Sequence, residues 1–367
     1  MYPFKNNYLY MKRMIKLISI VVLTPVLLFA LYVVGNLVYA SITKFKPEAV
    51  VDVPAFSMAA QSENQIASTD SSFDFLIWNI GYGGLGAEAN FFYDGGEMVV
   101  SPKEMVEKYN KGIVDFLSKS EADFILLQEA DTTGRRSWKI NQKENIAAAR
   151  PNDFYAFAVN YDVQFVPVPY TNPMGRVLGG LLSFSSFTPV ENKRIQLPNK
   201  DKFPDQLFYL ERCLLLQRFK LPNGKDLVVV NTHFEAYDNG EVKAKQMAFT
   251  KTILVEEYNK GNYVVMGGDW NISPPGFAAH SFAKEPETDY LDANANANYI
   301  EGWNYAFDPS VATNRKNKTA FDAAKTFTTI IDYFLVSPNL EVEEVKGIDL
   351  GFKSSDHQPV KLRVRLK

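Results

Sequence analysis

Eight polar side chains stand where apolar runs of this sequence end. Asn79 closes FLIWN, Glu129 follows FILLQ, and His233 follows VVVNT. Asp269 and Asn271 follow YVVMGG, Asp332 interrupts TTIIDYFLV, and Asp356 and His357 precede the last apolar run. Gathered at one sheet edge, such groups could hydrolyse a phosphate ester, which needs charge neutralised on the phosphoryl oxygens, a positioned water and a stabilised leaving oxygen. Glu129 is the natural ligand for a hard divalent ion such as Mg2+ or Mn2+, which prefers carboxylate oxygens. His357 titrates close enough to neutrality to act as a base on water or as a cation against phosphate. Asp269 and Asn271, one residue apart, face the same side of a strand end, Asp269 to handle a proton and Asn271 to donate its amide to the phosphate. Taken singly, an Asn or Asp after a strand is more often a turn former. Order and scarcity carry the case, because the chain has only three histidines and two of them occupy such positions.

The elements that must position these groups follow from apolar spacing. Strands are predicted over 73–79, 124–127, 155–159, 181–184, 207–219, 227–231, 263–266, 329–336 and 360–366. Helices are predicted over 103–118, after Ser101-Pro102, and over about 138–149 and 241–258. Strands outnumber helices and cluster late, so the expected fold is α/β of the α+β kind, a four-layer α/β/β/α sandwich of two packed mixed sheets with outer helices. Cys213, the only cysteine, lies inside an apolar run and is expected in the core. The biased stretch 292–299 is expected as a loop.

The polar residues belong to six ordered motifs: WNI (78–80), LQEAD (127–131), NTHFE (231–235), GGDWN (267–271), IDYFLVS (331–337) and SDHQPV (355–360). Together they resemble the endonuclease/exonuclease/phosphatase superfamily, which includes deoxyribonuclease I, exonuclease III, neutral sphingomyelinases and inositol polyphosphate 5-phosphatases. The resemblance spans residue 73 to the C-terminus. It implies a metal-dependent hydrolase in which Asn79 lies beside the ion, Asp356 is a second ligand or the orienter of His357, and Asp332 is the alternative orienter. His233 resembles the family's phosphate-binding or acid histidine. Family nucleases often place a Tyr or an acid where this chain reads GGLLSF (179–184), and Arg176 is a candidate phosphate contact in compensation.

From Leu17 to Thr43 no residue is charged, and at roughly 1.5 Å per residue this stretch can cross a bilayer core of roughly 30 Å. Lys5, Lys12, Arg13 and Lys16 precede it, so the expected topology is a single-pass membrane anchor with the body outside the cytoplasm. A cleaved signal is the alternative, yielding a secreted protein, since Val38-Tyr39-Ala40 resembles a cleavage site. The expected organisation is a basic cytoplasmic segment (1–16), an anchor (17–43), a polar linker (44–71) and a catalytic domain (72–367). Six of the 39 Lys and Arg lie before Pro47, leaving 33 against 42 Asp and Glu in the remainder, which is therefore acidic by about nine charges. That balance offers little sustained attraction to a polyanion. The expected substrate is a phosphodiester, whether phospholipid, small molecule or nucleic acid, with an extracytoplasmic nuclease as the alternative activity and no obligate protein partner. Phe91, Phe92 and Tyr93 are candidates for a lip near Asn79. A non-catalytic binding module would have lost Glu129 or His357, and both are present.

Overall fold

The computed structural model describes residues 4–59, 63–68, 70–200, 202–236, 238, 240–282, 294–296 and 299–367. A long apolar helix, α1 (Phe4–Thr43), precedes everything else, and its segment Tyr8–Thr43 is long and apolar enough to cross a membrane. The chain then forms β1 (Val50–Asp52), β2 (Ser72–Asn79), α2 (Lys103–Leu117), β3 (Phe124–Asp131), α3 (Gln142–Ala149), β4 (Phe154–Val166) and β5 (Gly175–Ser185). Next come β6 (Glu191–Gln196), β7 (Cys213–Lys220), β8 (Asp226–His233), α4 (Glu241–Asn259) and β9 (Tyr263–Asp269). The last elements are β10 (Asn304–Ala306), β11 (Asn314–Arg315), β12 (Thr328–Thr329), β13 (Asp332–Val336), β14 (Leu340–Gly347) and β15 (Val360–Leu366).

Two mixed sheets pack face to face, one in the order β1-β6-β7-β8-β9-β13-β10 and the other β14-β15-β2-β3-β5-β4. The seam between them is apolar: Phe75, Ile77, Phe124 and Leu126 of one sheet meet Val229, Val265, Phe334 and Val336 of the other. Leu254 of α4 packs with Val228, Val264 and Met266 on the outer face of the first sheet. Ile113 and Leu117 of α2 and Ile146 of α3 cover Leu76, Trp78 and Ile125 on the second. This is the expected four-layer sandwich. Period-two alternation explains it, since each strand sends one set of side chains to the seam and the other to the helices.

Several boundaries differ from expectation, each for a physical reason. The helix expected from 138 begins at Gln142, because Trp138 and Lys139 adopt left-handed φ of 52° and 61° and Asn141 caps the first turn by accepting from Glu144 N at 3.3 Å. The strand expected over 207–219 begins only at Cys213, after a 3-10 turn at Asp205–Leu207. Cys213 itself is fully buried, and burial pushes its thiol up to about 11. Five short or polar strands were not evident in the sequence: β1, β6, β10, β11 and β14. The stretch read as a linker carries structure too, since β1 pairs with β6, Phe56 bridges Tyr155 and Ile66 enters the seam. Of the biased stretch 292–299, residues 292, 293, 297 and 298 lie outside the described residues.

Candidate active site

Strand register sets one side of the site. Asp269, the last residue of β9, is paired with His233 on β8 and with Asp332 on β13, so three polar groups stand abreast on neighbouring strands. Gly268 makes this possible: a Cβ there would lie 2.0 Å from the carbonyl oxygen of Thr232. The facing sheet supplies Asn79 from the end of β2 and Glu129 from β3. At Glu129 the β3–β5 ladder shifts register between Leu127 and Ala130, and Glu129 adopts φ 55°. That bulge re-aims a carboxylate out of the sheet, a strained conformation held by the strands around it. Beneath the site, Gln128 Nε2 donates to Asn231 Oδ1 at 2.7 Å and Asn231 Nδ2 to Leu127 O at 3.0 Å, tying the two sheets together.

Asn79 is the junction. Its Nδ2 lies 3.0 Å from Asp269 Oδ2, 3.3 Å from Glu129 Oε1 and 3.4 Å from His357 Nε2. His357 Nδ1 faces Asp332, at 2.8 Å from Oδ2 and 3.1 Å from Oδ1, and Asn314 Nδ2 is 3.0 Å from Nε2. Of the two carboxylates expected to orient His357, the one in contact is therefore Asp332. Asp356 points elsewhere, accepting from Asn317 Nδ2 at 2.6 Å, as the opposite projection of successive residues requires. His233 Nε2 approaches Asp269 Oδ2 at 3.4 Å. Asn271, in left-handed φ of 50°, donates its backbone N–H to Asp269 Oδ1 at 2.8 Å, while its side-chain Nδ2 donates to Phe234 O at 3.0 Å.

Burial dominates the electrostatics. It pushes Asp269 up to about 6, with His357 acting against the shift and Asp332 adding to it, and it raises Asp332 and Asp356 as well. Burial also opposes charge on His357, yet Asp332 and Asp269 outweigh it and carry the imidazole well above its usual value. His233 shifts the opposite way, lowered first by burial and then by Arg212 and His357. The two histidines thus shift in opposite directions: charge is favoured on His357 and disfavoured on His233. The site holds more buried carboxylate than cation. Glu129 and Asp356 are close enough that the charge of Glu129 raises Asp356, and among the described residues Glu129 receives only the weak hydrogen bond from Asn79. Two neighbouring carboxylates are a fitting pair of donors for a hard divalent ion, and Asn79 turns its amide nitrogen to that side while its oxygen accepts from Gly81 N–H at 3.0 Å. Asp269, Asp332 and His357 also lie within 4.8 Å of one another and could hold an ion. The bond from His357 Nδ1 to Asp332 favours an oriented imidazole there.

Other residues reach the site without a sequence signal. Arg136, stacked over Tyr82 at 4.0 Å and paired with Asp131 through Nη2 at 2.8 Å, lines the cleft beside Glu129. Burial opposes its charge, and Asp131 and Glu129 more than restore it. Arg212, Asn314 and Asn317 also line the cleft, arriving from segments with no motif. Arg176 does not line it: the guanidinium pairs with Asp162 on β4. Of the aromatic candidates, Phe91 and Tyr93 line the cleft, and Phe92 packs beside them.

A profile of the endonuclease/exonuclease/phosphatase family matches residues 76–357, most of the chain. The chain belongs to this family. Among solved structures, an endonuclease/exonuclease/phosphatase from Beutenbergia cavernae superposes with a TM-score of 0.55 at 16% identity, covering 81% of this chain and 72% of that one. One from Bacteroides vulgatus gives 0.52 at 16%, covering 81% of this chain and 100% of that one. ANGEL2, a 2',3'-cyclic phosphatase, gives 0.52 at 14%, covering 87% and 99%. At these identities the likeness establishes the fold. No curated protein matches the sequence. Family members act on phosphate esters as phosphatases and nucleases, and the two packed sheets of this chain are consistent with the family's fold.

Proposed function

We propose that this chain is a membrane-anchored, divalent-metal-dependent phosphoesterase that cleaves phosphodiesters outside the cytoplasm. The observation that carries the proposal is the meeting of Glu129, Asp269, Asp356 and His357 in the lining of one cleft of about 1050 Å3, with Asn79 in contact with Glu129 and Asp269 and with Asp332 paired to His357 behind that lining.

Glu129 and Asp356 would hold Mg2+ or Mn2+ with the help of Asn79, and the ion would supply positive charge to the phosphoryl oxygens. Asp269 takes the proton of the attacking water. Its carboxyl, raised to about 6, still ionises at neutral pH and is basic enough to accept, and Asn79 and the backbone of Asn271 hold it in place. His357, oriented through Nδ1 by Asp332, turns Nε2 towards the phosphate, and Asp332 and Asp269 favour charge on its ring. Burial and Arg212 disfavour charge on His233, which lies beside Asp269 and helps to fix it. Asn271 positions the base through its backbone and, by the family resemblance, also serves the phosphate.

Anchorage rests on α1. Its last turn is docked on the domain, with Ala40 buried and Lys44 paired with Glu211 at 3.2 Å, which favours a retained helix over a cleaved signal. The four basic residues before the span favour a body outside the cytoplasm. The full chain in detergent is expected to hydrolyse bis-p-nitrophenyl phosphate with Mg2+ or Mn2+ and to stop with chelator, and metal-independent turnover would overturn the mechanism. Protease added to intact cells is expected to remove the domain, whereas full protection would reverse the topology.

A further inference from the structure

The cleft does not end at its polar floor. Tyr32, Val33, Asn36 and Leu37 of α1 line the same cavity as Glu129, Asp269 and His357. These four positions recur at helical spacing, so one stripe of α1 faces the cleft. Phe29 lies edge-on to Tyr170 with ring centres 5.7 Å apart, and Arg194 sits over Phe45, so the helix and the chain leaving it are fixed against the domain. Val168, Met174 and Leu210 of the domain line the cavity as well. One wall set is apolar, the floor is ionic, and the two are continuous, which is the outline of an amphiphile.

The depth agrees. About 20 helical residues counted from Leu17 cover roughly 30 Å and end near Asn36, so the cleft mouth lies where hydrocarbon gives way to headgroups. Tyr39, one turn beyond Asn36 on α1, is exposed, and an aromatic ring suits that level of a bilayer.

We infer that the last turns of α1 are part of the substrate site, and that the substrate is the phosphodiester of a membrane lipid entering between α1 and the domain. The acyl chains lie against Val33 and Leu37, and the phosphate reaches the floor. This inference rests on the phosphoesterase proposal above. In the reaction the water oxygen bonds to phosphorus, one P–O ester bond breaks, and the departing alkoxide takes up the proton that the water releases. The products are an alcohol and a phosphomonoester.

The test uses the full chain reconstituted with Mg2+ in vesicles of phosphatidylcholine and phosphatidylglycerol, with lipid products followed by mass spectrometry. Bis-p-nitrophenyl phosphate and a single-stranded DNA oligonucleotide are assayed in the same preparation. Phospholipid is expected to turn over faster than the oligonucleotide. The double substitution Val33→Ser/Leu37→Ser removes apolar contact with the chains and is expected to lower phospholipid turnover about tenfold while leaving the soluble diester within about twofold. Met174→Glu, in the lining that the domain supplies and independent of helix insertion, is expected to do the same. Hydrolysis of the soluble diester without hydrolysis of phospholipid overturns the lipid inference and leaves the phosphoesterase proposal standing. The same holds for faster turnover of the oligonucleotide, or for unchanged phospholipid rates in both variants. Hydrolysis of none of the three overturns the phosphoesterase proposal and the inference with it.

Discussion

Phe75 and Phe124 stack at 4.7 Å in the seam between the sheets, and a few residues further along the same two strands Asn79 and Glu129 meet at 3.3 Å in the cleft. The strands are continuous, yet the two regions are built on opposite terms. In the seam, burial removes apolar surface from water and every contact stabilises the fold. At the rim, burial raises Asp269, Asp332 and Asp356 together, and Glu129 and Asn271 hold left-handed backbone conformations. Such a rim costs stability, which the seam offsets, and keeps its charged groups ready for a ligand.

Substitutions at matched depth should separate the two regions. The largest effect is expected at the rim: His357→Asn should lower phosphodiester turnover by about 10^3- to 10^4-fold while moving the melting midpoint only a few degrees, because the neighbouring carboxylates can take up protons in place of the lost cation. A wild-type rate would remove His357 from the chemistry. Phe124→Ala in the seam should do the reverse, costing about 3–5 kcal/mol in denaturant unfolding while activity per folded molecule persists. Equal loss of activity in the folded fraction would mean that the seam does more than support the site. Asp332→Asn should cost about 10^2-fold in rate. Without that carboxylate the imidazole of His357 also loses a partner that raises its pKa, so its NMR titration should move to lower pH, and an unmoved titration would refute the pairing. The smallest effect is expected far from both regions, at Glu257, whose carboxyl is held at about 2. Burial opposes its charge, and Arg218, Lys260 and Asn262 outweigh that. A carboxyl depressed on folding stabilises the protein above its unfolded pKa of about 4.3, and the gain fades as pH falls towards 2. Glu257→Gln should therefore be less stable than wild type by about 1–2 kcal/mol at pH 7, with the gap closing below about pH 4. A gap that persists at pH 2 would point to packing.

Elements with strong periodicity were legible. β15 falls on the expected 360–366, and α2 runs Lys103–Leu117 with Val106, Tyr109, Ile113 and Leu117 buried at helical spacing. β14 was hidden because LEVEEVKG is an edge strand that leaves much of its surface in water. β6, with the sequence ENKRIQ, hid for another reason: Arg194 and Asn192 are buried there on hydrogen bonds that no propensity announces. The start of α3 was misplaced because Trp138 and Lys139 read as helix formers while the turn before Asn141 demanded left-handed backbone.

The sequence by itself determined which polar groups end which strands, in what order, and that an apolar helix comes first. Tertiary structure alone decided that Asp332 faces His357 while Asp356 turns towards Asn317, that Arg136 and Asn314 join the site and Arg176 does not, and that α1 closes one wall of the cleft. The physical reason is that these contacts depend on strand register, on one bulge at Glu129 and on packing between segments far apart in the chain. A local pattern fixes the direction of a side chain within its own strand, but its partner is set by how two strands or a strand and a helix come to lie together.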